Sequence, residues 1–332
     1  MKISSAYDTI WFLKLVVKGD LYREMIRIRR FLILSYCSLF LAMALATAIM
    51  FPWSTDPQGD ESFRQESRDF YDKAFAKEPD SGKDNVYKES AERSTLSTKT
   101  PELVANFVTQ YGLKNKKVLE VGAGSGLLQD IVEDYTGLDI ASSARRFFHK
   151  PFVQASATHM PFPDNSFDAL WSFRVIEHIP NPERALLEIR RVVKPGGYIL
   201  LDVANDVDRY AAQGYRVRPY SDFDLWGKIK KASIPIADSN AINNLYTHQI
   251  RLLRSLGSRL GNGPSRLRFT KIEANYDQYW IGDSDACTAV SYHELFRWFT
   301  SRGDRCENCP GEWDLIFDIT RHDNAMIIRV DK

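Results

Sequence analysis

The sequence predicts an α/β domain in which a doubly wound, mostly parallel, seven-stranded sheet ends in a C-terminal antiparallel hairpin, preceded by a transmembrane helix. Three observations predict it. Short apolar runs alternate with amphipathic segments from Thr100 onward. One of those runs leads straight into Gly122, Gly124 and Gly126. Near the N-terminus, the run from Phe31 to Phe51 carries no charge and matches the length of about 20 residues that a helix needs to cross a bilayer.

The chain has 332 residues, 44% hydrophobic and 26% charged, enough to bury a full core. A net charge of +1 excludes a chain-wide attraction to nucleic acid, which needs a clear basic excess. Four cysteines are too few for a disulfide framework. The CxxC pair Cys306 and Cys309 has no second pair to complete a zinc site, so reduced thiols and no metal are expected.

Residues 1–30 read as a basic N-terminal segment and 31–51 as the span. Arg23, Arg27, Arg29 and Arg30 flank it on one side, with Asp56, Asp60 and Glu61 on the other. The positive-inside rule then predicts a single-pass membrane protein with a cytoplasmic N-terminus, leaving open on which side the remaining domain sits. Residues 52–99 form a polar linker with short helical pieces, broken by Pro57, Gly59, Pro79 and Gly82. Its aromatic residues Tyr71, Phe75 and Tyr87 either cap a pocket or pack on the domain surface.

The domain proper covers 100–332. Thr100 and Pro101 open a helix with Val104, Phe107 and Val108 on one face. Strands are expected at Lys117–Val121, Thr136–Ile140, Phe152–Ala155, Phe167–Phe173 and Tyr198–Val203. Helices are expected at Leu127–Tyr135, Ser142–Phe148 and Pro182–Val193. Residues 205–285 interrupt the rhythm as an insertion, with a helical stretch over Tyr246–Leu260. An amphipathic helix over Tyr292–Ser301 follows, then strands at Trp313–Thr320 and Ala325–Val330 joined by the turn Arg321–Asn324.

The segment Val118–Gly126, VLEVGAGSG, carries the chemistry. Glycines at alternate positions remove the Cβ atoms that would keep a ligand from the backbone, and a following helix would offer free N–H groups to a carboxylate. A dinucleotide site of the G-x-G-x-x-G type would need glycine where Leu127 stands. The observed G-x-G-x-G, preceded by Glu120, resembles motif I of class I S-adenosylmethionine-dependent methyltransferases. The run QASATHMPFPDNSFD from Gln154 to Asp168, the Glu177–His178 pair and the KPGG turn at Lys194–Gly197 are similar to the type 11 branch of that superfamily. The resemblance implies a Rossmann-like fold, S-adenosylmethionine as cofactor and a glycine loop around its methionine half.

It further implies a cofactor-binding set of Glu120, Gly122, Ala123, Gly124, Gly126, Asp139, Ile140, Ser156, Ala157 and Ser172. Asp139, about seventeen residues beyond Gly122, would accept the ribose hydroxyls. Ser156 stands where the branch commonly has an acid for the adenine amino group. No catalytic residue is assigned. His178 reads either as a general base or as a structural residue closing the loop after the fourth strand. Arg174 either binds an anionic group or pairs with Glu177. Ser172–Val175 lack the Asn/Asp-Pro-Pro-aromatic run of DNA base methyltransferases, so DNA is not an expected partner.

The insertion holds Arg209, Arg216, Arg218, Lys228, Lys230, Lys231, Arg266 and Arg268 beside Tyr210, Tyr215, Tyr220 and Trp226. Such a cap suits an anionic, glycan-like or lipid acceptor, or is a solvated face. The expected function is methyl transfer by in-line displacement to a small-molecule, lipid or lipid-linked glycan acceptor. An inactive membrane-tethered scaffold and a protein or RNA methyltransferase stand as alternatives, the last marked by steep salt dependence.

Overall fold

The computed structural model describes residues 23–42, 53–54, 61–76, 92–93, 95–204, 207–237, 240–260, 263–278, 280–317 and 325–332. The chain divides into two compact units, Met1–Pro52 and Trp53–Lys332. In the first, residues 23–42 are helical (α1) and mostly exposed.

This helix corrects the expected span. No helix among the described residues is long and apolar enough to cross a membrane. Its first two described turns carry Arg23, Glu24, Arg27, Arg29 and Arg30, which leaves residues 31–42 as the uncharged stretch among the described residues. That is about 18 Å at 1.5 Å per residue, against about 30 Å of hydrocarbon. Residues 43–51 lie outside the described residues. The single-pass membrane location and the orientation derived from it fall with the span.

In the second unit, a seven-stranded sheet runs in the order β4-β3-β2-β5-β6-β10-β9. Its strands are β2 (Lys117–Val121), β3 (Asp134–Asp139), β4 (Phe152–Gln154), β5 (Phe167–Phe173), β6 (Val193–Asp202), β9 (Arg305–Cys306) and β10 (Met326–Arg329). The first five are parallel, and β10 is antiparallel to both β6 and β9. Alternate side chains along the strands feed two cores. Leu119, Val121, Leu170, Ile199 and Leu201 pack with helices α4 (Pro182–Val192) and α7 (Tyr292–Thr300). Val118, Ala169, Trp171 and Leu200 pack with α3 (Thr100–Gln110). Burial on both faces is what a sheet with crossover helices requires.

Local chemistry sets these helices. Asn181 accepts the Arg184 N–H at the start of α4, and Pro182 follows where no donor is needed. Ser291 caps α7 in the same way through the Glu294 N–H. Helix α2 (Glu61–Ala76) comes from the linker, and β1 (Trp53–Ser54) pairs with β7 (Phe269–Lys271), which also pairs with β8 (Thr288–Ala289). The insertion adds α5 (Leu225–Ala237) and α6 (Asn240–Leu260), the latter beginning earlier than its expected start at Tyr246.

Four expectations are corrected. Residues 127–130 form turns instead of a helix, because β3 begins at Asp134 and Gln129 ties the segment down by donating to the Gly126 and Phe147 carbonyls. Ser142–Phe147 is a 3-10 helix. Residues Glu312–Phe317 form α8 in place of a strand: Gly311 accepts the Leu315 N–H, and Leu315 and Ile316 turn inward together, which a strand's alternation forbids. The partner of β10 in the terminal hairpin is therefore β9; the expected turn at 321–324 lies outside the described residues. Cys306 and Cys309, expected as thiols, are joined in a disulfide with Cα atoms 5.5 Å apart.

Candidate active site

A cavity of about 670 Å³ opens at the carboxyl ends of β2, β3 and β5, the position where open α/β sheets bind ligands. One wall is the turn after β2 together with the ends of β3 and β4. Of the expected set, Glu120, Gly122, Ala123, Gly124, Asp139, Ile140, Ser156 and Ala157 line it.

Gly126 and Ser172 do not. Gly126 sits at φ +72, and a Cβ there would meet Gln129 Nε2 at 2.9 Å and the Phe148 ring at 3.1 Å, so its smallness serves packing. Ser172 is fully buried in β5 and its Oγ has no hydrogen-bond partner. Gly122 is constrained twice. Its φ is +73, and an added Cβ would lie 2.1 Å from Val175 Cγ2, a position closed to any L side chain.

Asp139 is buried, with Oδ2 accepting the Gly124 N–H and Oδ1 the Ala141 N–H, each at 2.9 Å. Burial raises its pKa, against the pull of those amide donors. Glu120, one strand over, accepts from the Tyr135 hydroxyl, and burial pushes it up to about 8. The Ser156 hydroxyl shares a 2.8 Å hydrogen bond with Thr158 Oγ1.

The facing wall is assembled from distant segments. Tyr71 and Phe75 of α2 line the cavity and are also buried, so capping and packing are one arrangement here; Tyr87 lies outside the described residues. The turn after β5 supplies Arg174, Val175 and His178, and the insertion supplies Gly282, Asp283 and Asp285. Asp285 was not expected from the sequence. It is fully buried, accepts the Tyr71 hydroxyl at 2.7 Å across 214 residues of sequence, and lies 3.2 Å from His178 Nδ1. Burial alone would lower the pKa of His178, but the carboxylates of Asp285, Glu177 and Asp283 outweigh it and the pKa is raised.

Neighbouring bonds fix this wall. The Cys287 N–H donates to the Glu177 carbonyl at 2.9 Å, and Thr288 Oγ1 donates to the Ile176 carbonyl at 3.1 Å. Glu177 itself is buried, held by the Ala204 N–H and pushed up to about 7 by burial. Arg174 stands at φ +55 and pairs with Asp202 at 3.3 Å. A non-glycine residue held there is the kind of strain found at functional sites.

The insertion's basic residues do not line the cavity. Arg216 pairs with Asp208, Arg218 with Asp222, and Lys231 donates to the Arg218 carbonyl at 2.7 Å. The lining carries Glu92, Glu120, Asp139, Asp202, Asp283 and Asp285 against Arg174 and Arg184, an acidic chamber.

Residues 119–201 match the family described as "Methyltransferase domain". The chain carries a class I methyltransferase domain. It is of the type 11 branch, and the cofactor of that family is S-adenosylmethionine. The chain is 37% identical over 209 residues to a sterol 24-C-methyltransferase of Gibberella zeae, covering 55% of this chain and 49% of that protein. It is 29% identical over 167 residues to a fatty-acid O-methyltransferase of Mycolicibacterium smegmatis, covering 46% and 56%. It is 35% identical over 79 residues to a ubiquinone/menaquinone biosynthesis C-methyltransferase of Hahella chejuensis, covering 24% and 32%. The chain spans about half the length of the curated relatives it matches first.

The cavity suits the cofactor. Its volume lies within the range of about 300–1,000 Å³ for small-molecule sites. Glycine-bounded backbone and a buried carboxyl group with unused lone pairs face a space whose acids other than the raised Glu120 suit a sulfonium cation.

Proposed function

We propose that the protein transfers a methyl group from S-adenosylmethionine to a small-molecule or lipid-type acceptor. The observation that carries this is the convergence of the glycine turn and Asp139 on one cavity with a separate wall facing them. The names of relatives that act on fatty acids, sterols and quinones support an acceptor of that class.

When bound, the cofactor supplies an electrophilic methyl group on sulfur. The chain does the rest. Gly122, Ala123 and Gly124 would bring backbone close to the methionine half, and Asp139 would accept the ribose hydroxyls with the lone pairs left by its two amide bonds. Ile140, Ser156 and Ala157 would border the adenine. Tyr71 and Phe75 cover part of the chamber, so that orientation and partial shielding from water would do most of the catalytic work.

Calorimetry on the full chain tests the reading. S-adenosylmethionine binds with one site per chain, and Asp139→Ala weakens it. An absence of heat with folded wild-type protein overturns the proposal.

A further inference from the structure

His178, Asp285 and Tyr71 form a cluster that cofactor binding does not use. They come from the turn after β5, the insertion and α2, and all three border the cavity. Asp285 has no exposed side-chain surface, and the His178 side chain is 12% exposed. Asp285 Oδ2 receives the Tyr71 hydroxyl and faces His178 Nδ1. His178 Nδ1 makes no hydrogen bond to the described residues in this arrangement, and the charge of a carboxylate 3.2 Å away favours a proton on Nδ1 over Nε2. The bonds from Cys287 and Thr288 to the Glu177 and Ile176 carbonyls hold the segment just after the insertion against the turn that carries the ring.

We infer that His178 is the base that takes the proton from a neutral hydroxyl acceptor, with Asp285 and Tyr71 as positioning residues, so that the product is a methyl ether. This rests on the methyl-transfer reading above. The acceptor oxygen forms a bond to the methyl carbon as the carbon–sulfur bond breaks, and sulfur keeps that electron pair as a neutral thioether. The hydroxyl proton passes to His178 Nε2 and later to solvent. An ionised carboxylic acid carries no proton to remove and would meet Asp202, Asp283 and Asp285 in the chamber. A hydroxyl is neutral before the step and needs a base during it.

The groups facing His178 are Glu177 on its own turn, Asp283 and Asp285 from the insertion, and Tyr71 from α2; Arg174 and Cys287 act on Glu177 beside it. The ring must be neutral to act, so turnover falls as pH drops through its pKa. Asp285→Asn removes the foremost charge that raises that pKa, and the acid limb moves to lower pH.

The test incubates full-length protein with methyl-labelled S-adenosylmethionine and lipid or aqueous extracts of the source cells. Label is expected in products that survive mild alkali, which cleaves methyl esters, and that release methyl iodide with hydriodic acid, which C-methyl groups do not. His178→Ala should lower this labelling at least about 100-fold with cofactor affinity unchanged, and added imidazole should restore part of it. If His178→Ala does not fold, Asp285→Asn carries the test through the shifted acid limb, which a purely structural residue would leave in place. A wild-type protein that binds S-adenosylmethionine yet labels esters, C-methyl products or nothing overturns the inference. One that does not bind the cofactor overturns the underlying reading instead.

Discussion

The two walls of the cavity are built in opposite ways. The cofactor wall comes mostly from one stretch, Glu120 to Ile140, in which a buried strand, a glycine turn and the next strand's last residue meet through local bonds such as Gly124 to Asp139. The facing wall joins α2, the turn after β5 and the insertion, which meet only in the folded chain. Local bonds therefore build the glycine-turn wall, whereas the facing wall depends on contacts between segments far apart in the chain.

The comparison breaks most sharply at Gly122. Gly122→Ala should cost about 3 kcal/mol of stability, from overpacking against Val175 and a left-handed backbone, and should abolish cofactor binding. Urea unfolding and calorimetry read both, and Val175→Ala in the same chain should recover part of the stability. A fully stable Gly122→Ala would show that the turn is not held as described.

Asp139→Ala should weaken S-adenosylmethionine by about 30-fold, the loss of charge-assisted hydrogen bonds worth roughly 2 kcal/mol. Equal affinity in calorimetry would remove Asp139 from the site.

A pH titration sharpens the contrast. Glu120 is pushed up to about 8 in the fold, above its ordinary 4.5. Between those values the folded chain binds more protons than the unfolded one, so stability falls as pH rises through the window, by at most about 1.4 kcal/mol per pH unit for one group. Glu120→Gln should flatten that slope in thermal melts at successive pH values; an unchanged slope would mean that Glu120 is ionised in the fold. Glu177, pushed up to about 7, adds a smaller window of the same sign.

The smallest effect belongs to Ser172. Its buried hydroxyl lacks a partner and lies off the cavity, so Ser172→Ala should change stability by less than about 1 kcal/mol and leave cofactor affinity as it was. A clear loss of affinity would place this residue back in the site.

The sequence made legible what periodicity and local turns decide. The five parallel strands, the glycine turn and Asp139 could be read because each depends on neighbours in the chain. Leu127–Tyr135 misled because its apolar spacing suits a helix, while Gln129 and the early start of β3 leave room only for turns. Trp313–Phe317 alternates like a strand but coils, since Leu315 and Ile316 are buried side by side. The run after Phe31 lacks charge, yet the described part of the helix that includes it carries four arginines and a glutamate ahead of that run. Asp285 gave no signal, because its partners Tyr71 and His178 are remote and an isolated aspartate in an insertion looks like any other surface acid.

The pairing of Trp53–Ser54 with Phe269–Thr270 has a consequence for how the molecule is made. During synthesis, the glycine turn and its aspartate leave the ribosome long before the residues of α7 and β10 that complete their core. The segment ahead of α2 must wait for its strand partner before it is secured. A chain ending near residue 260 would lack that partner strand, and with it α7 and β10, whose side chains complete the core beneath the glycine turn.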